Sequence, residues 1–178
     1  CAANVELHVM AEQLSLTEAY SRVLASADEE FVLFVDYDDL LMPWTLDVLQ
    51  SCLNQSVDGV VGDELVGMDT PNSRYFRRTR FNTVAFSEFS LLFHPIVIRR
   101  ELLVRNGFPR TEYGFFHDWE AIQLLCDAPG QVRQIALPLY FWRQHEDSHT
   151  NAGALNELAL ECRRQHLEHR VARLGGAG

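Results

Sequence analysis

No lysine occurs in this chain of 178 residues; all 15 of its basic residues are arginine. That absence excludes Schiff-base chemistry and any phosphate clamp built on a lysine ammonium. Long apolar runs are also missing. The longest, Leu91 to Ile98, is short and interrupted by His94 and Pro95, so neither a membrane span nor a secretory signal is visible. Cys1, Cys52, Cys126 and Cys162 form no CxxC pair, which argues against a zinc site or dense disulfide framework and for buried free thiols in a reducing compartment. Positive charge is scarce: a net charge of -10 argues against nucleic-acid binding, because neutralising phosphates takes clustered cations. Arginine used to the exclusion of lysine suggests a GC-rich bacterial source.

What is present suits one globular α/β domain over residues 1–178, with 47% hydrophobic and 22% charged residues and no linker-like break. Val5 to Met10 alternates in polarity as a short strand does, and Leu14 to Ala27 carries apolar residues at helical spacing behind a cap at Ser15 or Thr17. Phe31 to Val35 is a continuous run of β-formers, which predicts a strand buried on both faces of a mainly parallel sheet. Pro43 suits the first turn of a helix through Leu46, Val48, Leu49, Cys52 and Leu53, followed by a strand over Val57 to Val61.

From Asp69 to Asn82 the chain is polar and aperiodic and reads as a long surface loop, bearing the solvated patch Arg74, Arg77, Arg78 and Arg80. Beyond it come a strand at Phe93 to Ile98, a short helix at Glu101 to Asn106 closed by Gly107, and a core helix at Trp119 to Cys126. Val132 to Leu137 and Leu139 to Trp142 are two strand candidates around Pro138. Residues 151–178 form a terminal amphipathic helix, Leu155 to Leu174, and a loose glycine-rich tail.

The chemistry concentrates in Asp36-Tyr37-Asp38-Asp39, directly after the apolar strand, where open α/β sheets hold their ligands. Three carboxylates in four residues repel one another, and a hard divalent cation that also bridges to phosphate oxygens relieves that repulsion. The competing reading is an acidic loop solvated near a helix N-terminus. Arg143 and His145 stand two apart after an apolar strand, so a continuing strand would set a cation and a metal-binding imidazole on one face; an Arg143 pair with Glu146 or Asp147 is the plainer alternative. Asp118 heads the Trp119 helix and reads either as its N-cap or as a general base. His117 beside it reads as a hydrogen-bonded surface residue at the pocket, and Trp119 either fills core or stacks on a sugar ring.

Four segments resemble family 2 glycosyltransferases. They are Phe31 to Leu53, with its apolar strand, Asp-x-Asp-Asp, proline and helix; His94 to Phe108, with its strand, Arg-Arg helix and Gly-Phe turn; the YGFFHDWEAIQLL stretch; and Leu137 to Thr150, with its closing Arg-x-His segment. Together they span residues from about 30 to 150 in the family's order.

The resemblance implies a GT-A type fold, a mixed and mainly parallel sheet flanked by helices. It also implies an inverting transfer from a nucleotide-sugar donor to a sugar, lipid-linked or polysaccharide acceptor. Asp36, Asp38, Asp39, Arg143 and His145 would bind the donor diphosphate, with Mg2+ or Mn2+ on Asp38 and His145, Asp118 as the catalytic base, and His117 and Trp119 on the acceptor side. A cytoplasmic setting, at the inner membrane face for lipid-linked acceptors, goes with this.

The chain departs from the pattern in having His117 where the family has Glu, and only one strand and one helix before the Phe31 strand that leads into Asp36. The second departure leads us to expect an N-terminally truncated domain without its nucleotide-clasping portion. Two rivals are a truncated module that binds without catalysing, and a haloacid-dehalogenase-like phosphatase, whose Asp-x-Asp chemistry normally needs the lysine this chain lacks.

Overall fold

The computed structural model describes residues 7, 9–77, 81–83, 94–110, 116–128, 130–144 and 155–175. Leu7, Val9 and Met10, the described part of the expected first strand, have no regular structure, and Leu7 and Val9 are each 81% exposed. Alternation alone, without a partner strand, does not hold an extended segment.

Helix α1 (Leu16–Ser26) opens on a capping box in which the Ser15 side chain accepts from the Glu18 amide while Glu18 reaches back to the Ser15 amide. Strand β1 (Phe31–Leu33) leads to the acidic turn and to a two-residue strand β2 (Leu40–Leu41). Helix α2 (Thr45–Cys52) starts two residues later than Pro43, with Trp44 at its N-cap. Strand β3 (Val57–Gly67) is the long central strand, and after a 3-10 turn (Thr70–Asn72) strand β4 (Arg74–Phe76) folds back on it. Strand β5 (Ile96–Arg99), helix α3 (Arg100–Arg105), helix α4 (His117–Cys126), strand β6 (Gln131–Arg143) and helix α5 (Leu155–Gly175) complete the described elements. No helix of the described residues is long and apolar enough to cross a membrane.

The sheet order is β1-β5-β3-β6-β2, with β4 beside β3. The expected mixed, mainly parallel sheet is mixed, with most of its strand pairs antiparallel. The extended pair β3/β6 is parallel, while β1/β5, β3/β5, β3/β4 and β2/β6 are antiparallel. β1 accordingly sits at the end of the strand order with its residues half-buried rather than enclosed on both faces. The two strands expected around Pro138 are one, because a register irregularity at Asp63/Pro138 lets the strand pass a residue that cannot donate. The expected polar loop contains β4, whose three residues are all exposed and so leave no apolar trace in the sequence.

Side-chain alternation along β5 builds a core on each face. Ile96 and Ile98 join Leu24, Val61, Leu102, Leu103, Phe108, Ile122 and Leu125 beneath α1, α3 and α4, whereas Val97 joins Leu49, Cys52, Val57, Val60 and Leu139 beneath α2. Helix α4 lies so close to the sheet that a Cβ on Gly59 would come within 2.4 Å of the Leu125 side chain and 2.7 Å of the Val97 carbonyl oxygen. Gly107 takes φ +70 where α3 ends, as the Gly-Phe turn predicts.

Candidate active site at the acidic turn

The acidic turn is held by the end of β6. β1 pairs with β5 through Leu33, the Phe34 amide still donates to the Ile96 carbonyl (3.3 Å), and the chain then turns, with the Asp39 amide donating to the Asp36 carbonyl at 3.2 Å. Asp39 is buried, and its Oδ1 accepts from the Arg143 amide at 2.8 Å. The fully buried Tyr140 hydroxyl accepts from the Asp36 amide at 2.9 Å and hydrogen-bonds the Asp39 carboxylate. The Arg143 guanidinium closes the set by donating through Nε to the Asp38 carbonyl. Thus Asp36, Asp38, Asp39 and Arg143, four residues singled out from sequence, stand together. His145 lies outside the described residues.

A fifth residue joins them that sequence reasoning left aside. The β1/β5 register pairs Phe31 with Arg99 and Leu33 with Val97, and its continuation brings His94 opposite Asp36. The His94 ring stacks on Tyr140 (centroids 4.7 Å apart, planes 13° apart), with Nε2 3.7 Å from Asp36 Oδ2. One ligand atom from each of Asp36, Asp39 and His94 lies within 4.8 Å of the others. Burial raises the pKa of Asp36, and the neighbouring Asp38 charge raises it further. Burial likewise raises Asp39, against the lowering effect of the Arg143 amide.

Asp118 is the second residue of α4, half-buried, and not its N-cap, which is Phe116. It accepts a backbone hydrogen bond from Trp119, yet its carboxyl is pushed up to about 7, first by burial and then by the charge of Asp36. The Tyr20 phenol, pushed up to about 12 chiefly by burial, feels both Asp36 and Asp118. Tyr20 was legible only as a helix-face residue. In the fold it forms an aromatic wall with Phe34 (centroids 5.5 Å), Phe108 (6.1 Å) and His117 (5.6 Å).

His117 is not at a surface: it is 1% exposed, 2.9 Å from the Thr17 hydroxyl through Nε2 and 3.7 Å from the buried Glu120 carboxylate through Nδ1. Two aromatic side chains, Tyr20 and Phe108, pack against its ring, and the Thr17 hydroxyl ties it to α1. Trp119 is half-buried, with Phe116 (5.2 Å) and His166 of α5 (6.4 Å) as ring neighbours. Arg74 is an exposed member of β4 and Arg77 is also exposed; Arg78 and Arg80 lie outside the described residues.

No family model matches the chain, and no curated protein matches it at a significant level. Among solved structures, the chain is similar to residues 1–349 of Staphylococcus aureus TarS, a wall teichoic acid glycosyltransferase, with a TM-score of 0.54 and 18% identity. The similarity covers 72% of this chain and 40% of the TarS chain. The chain therefore has a mixed α/β fold of the glycosyltransferase-like kind and spans well under half the length of that neighbour.

Proposed function

We propose that the chain is catalytic machinery of an inverting, family 2, GT-A type glycosyltransferase, moving a sugar from a nucleoside-diphosphate donor to an acceptor hydroxyl. The observation that carries this reading is geometric. The Tyr20 ring packs against Phe34, which leads into the acidic turn (5.5 Å), and against His117, which precedes Asp118 (5.6 Å), so the turn and the α4 acid flank one aromatic wall, and the charge of Asp36 adds to the raised pKa of Asp118. A carboxyl held at about 7 is matched to accepting a proton near neutral pH. In the step envisaged, the acceptor oxygen bonds to the anomeric carbon as the bond to the diphosphate oxygen breaks, and Asp118 takes the acceptor proton. The attack comes opposite the leaving group, which inverts the centre. Arg143, tied to the Asp38 carbonyl, supplies positive charge beside the departing diphosphate.

Mg2+ or Mn2+ belongs to this reading, and when bound it would neutralise diphosphate charge. The residues fit a divalent cation: Asp36, Asp39 and His94 converge, and among the described residues Asp39 Oδ2 is buried without a hydrogen-bond partner. Asp38 and His145 are the ligands that family resemblance implies. Sugar, lipid-linked or polysaccharide acceptors, and a cytoplasmic setting at the inner membrane face, complete the proposal.

The test is release of nucleoside diphosphate from a panel of nucleotide sugars with Mn2+, with and without sugar acceptors. Asp118→Asn should lower turnover on the order of 100-fold or more, as loss of a general base does. Near-normal turnover in that variant overturns the base assignment. Metal-dependent nucleotide binding with no release on any donor would favour a binding module.

A further inference from the structure

We propose that His94 is a nitrogen ligand in the cation site of the acidic turn, which makes that site select Mn2+ and Co2+ over Mg2+. Family resemblance assigns the imidazole to His145; the geometry points to a histidine some fifty residues earlier, two residues before β5. The step from sequence to site runs through register. β5 descends antiparallel beside β1, so the residue two before Ile96 meets the residue three after Leu33, and these are His94 and Asp36.

Three features make this more than an acidic cluster. His94 Nε2 sits 3.7 Å from Asp36 Oδ2, beyond a hydrogen bond and compatible with two groups sharing an ion. Asp39 is 7% exposed and, among the described residues, its Oδ2 has no hydrogen-bond partner, although its Oδ1 accepts from the Arg143 amide. Leaving a carboxylate oxygen dry and unpartnered is costly, and a cation would remove that cost. Finally, the ring of His94 is fixed in plane by its stack on Tyr140, whose hydroxyl in turn fixes the Asp36 amide, so the three donors are arranged before any ion arrives. Asp36, with its side chain 54% exposed, keeps the site open to solvent and to a phosphate ligand.

The chemistry then sets the preference. An all-carboxylate site suits Mg2+, which demands oxygen ligands and dehydrates reluctantly, whereas imidazole favours first-row transition ions. Co2+ should bind more tightly than Mn2+, in the order of the first-row series, and Mg2+ most weakly.

Cation binding needs no donor sugar, so this inference rests on the transfer reading only for what the ion does. Titration calorimetry with Mn2+, Co2+ and Mg2+ on the folded chain is the first measurement. The wild type should bind Mn2+ on the order of 10-fold more tightly than Mg2+, and both His94→Ala and His94→Gln should bring that ratio close to one. Should either variant fail to fold, the wild type alone decides, through Mn2+-induced broadening of the His94 ring signals in proton NMR. The proposal is overturned by a folded wild type that shows no Mn2+ binding, by a Mn2+/Mg2+ ratio unchanged in the folded variants, or by His94 signals that stay sharp at saturating Mn2+. An unchanged ratio or sharp His94 signals leave the transfer reading untouched, absent Mn2+ binding counts only against its dependence on Mn2+, and release of nucleoside diphosphate from a nucleotide sugar tests transfer itself.

Discussion

Asp118→Asn should stabilise the chain at alkaline pH and do so much less at acid pH. In the folded chain burial and Asp36 hold the Asp118 carboxyl at about 7, against an ordinary value of 3.8. A group whose folded pKa is raised contributes stability that is complete below its unfolded pKa and is lost as pH rises through the folded one. The window here is therefore from about pH 4 to about pH 7, where the unfolded chain releases the proton and the folded chain retains it. Three pKa units correspond to about 4 kcal/mol in total, of which somewhat more than half falls between pH 5 and pH 8. Asparagine cannot ionise, so the variant escapes this loss. Urea unfolding of both proteins at pH 5 and pH 8 measures it: the stability difference should move in favour of Asp118→Asn by about 2 to 3 kcal/mol between the two. A difference that stays the same at both pH values would refute the claim that this carboxyl is kept neutral by its surroundings. The trade is the one that active sites make, in which a group useful near neutral pH costs stability there.

Two further substitutions test the framework around the site. Tyr140→Phe keeps the buried ring and its stack on His94 but removes the hydroxyl that serves the Asp36 amide and the Asp39 carboxylate; it should cost about 1–3 kcal/mol in urea unfolding and weaken Mn2+ binding, and a neutral result would mean the turn is held by Arg143 alone. Gly59→Ala forces a methyl against Leu125 and a backbone carbonyl, so thermal unfolding should show a loss of about 1–3 kcal/mol, while unchanged stability would mean that α4 is not seated on the sheet as described.

Much of the frame was legible because local chemistry and tertiary structure agree. The apolar Phe31 to Val35 run ending in acids, the Ser15 cap, the Gly107 stop and the helix ending at Cys126 all follow from patterns a few residues long. Errors arose where a partner distant in sequence decides. A continuous apolar run suggested a parallel, enclosed strand, yet β1 pairs antiparallel with β5 at the end of the strand order. Pro138 looked like a break because nothing local signals the irregularity opposite Asp63 that accommodates it.

The site divides along the same line. Asp36, Asp38 and Asp39 are neighbours in the chain, and Arg143 is brought to them by the end of β6, as a charged residue after an apolar strand suggests. His94 and Tyr20 carried no local mark, since one depends on the β1/β5 register and the other on α1 packing its aromatic face toward Phe34 and Phe108. His117 looked like a surface residue because its sequence neighbours give no sign of Tyr20 and Phe108, the distant rings that pack against it.

The central claim is that the acidic turn and the α4 carboxylate face one another across a shared space. The most direct measurement is the pKa of Asp118, followed by carboxyl carbon NMR in the wild type and in Asp36→Asn. Removing the Asp36 charge should lower it from about 7. An identical titration curve in the two proteins would mean that the carboxylates do not share a field and would contradict the account.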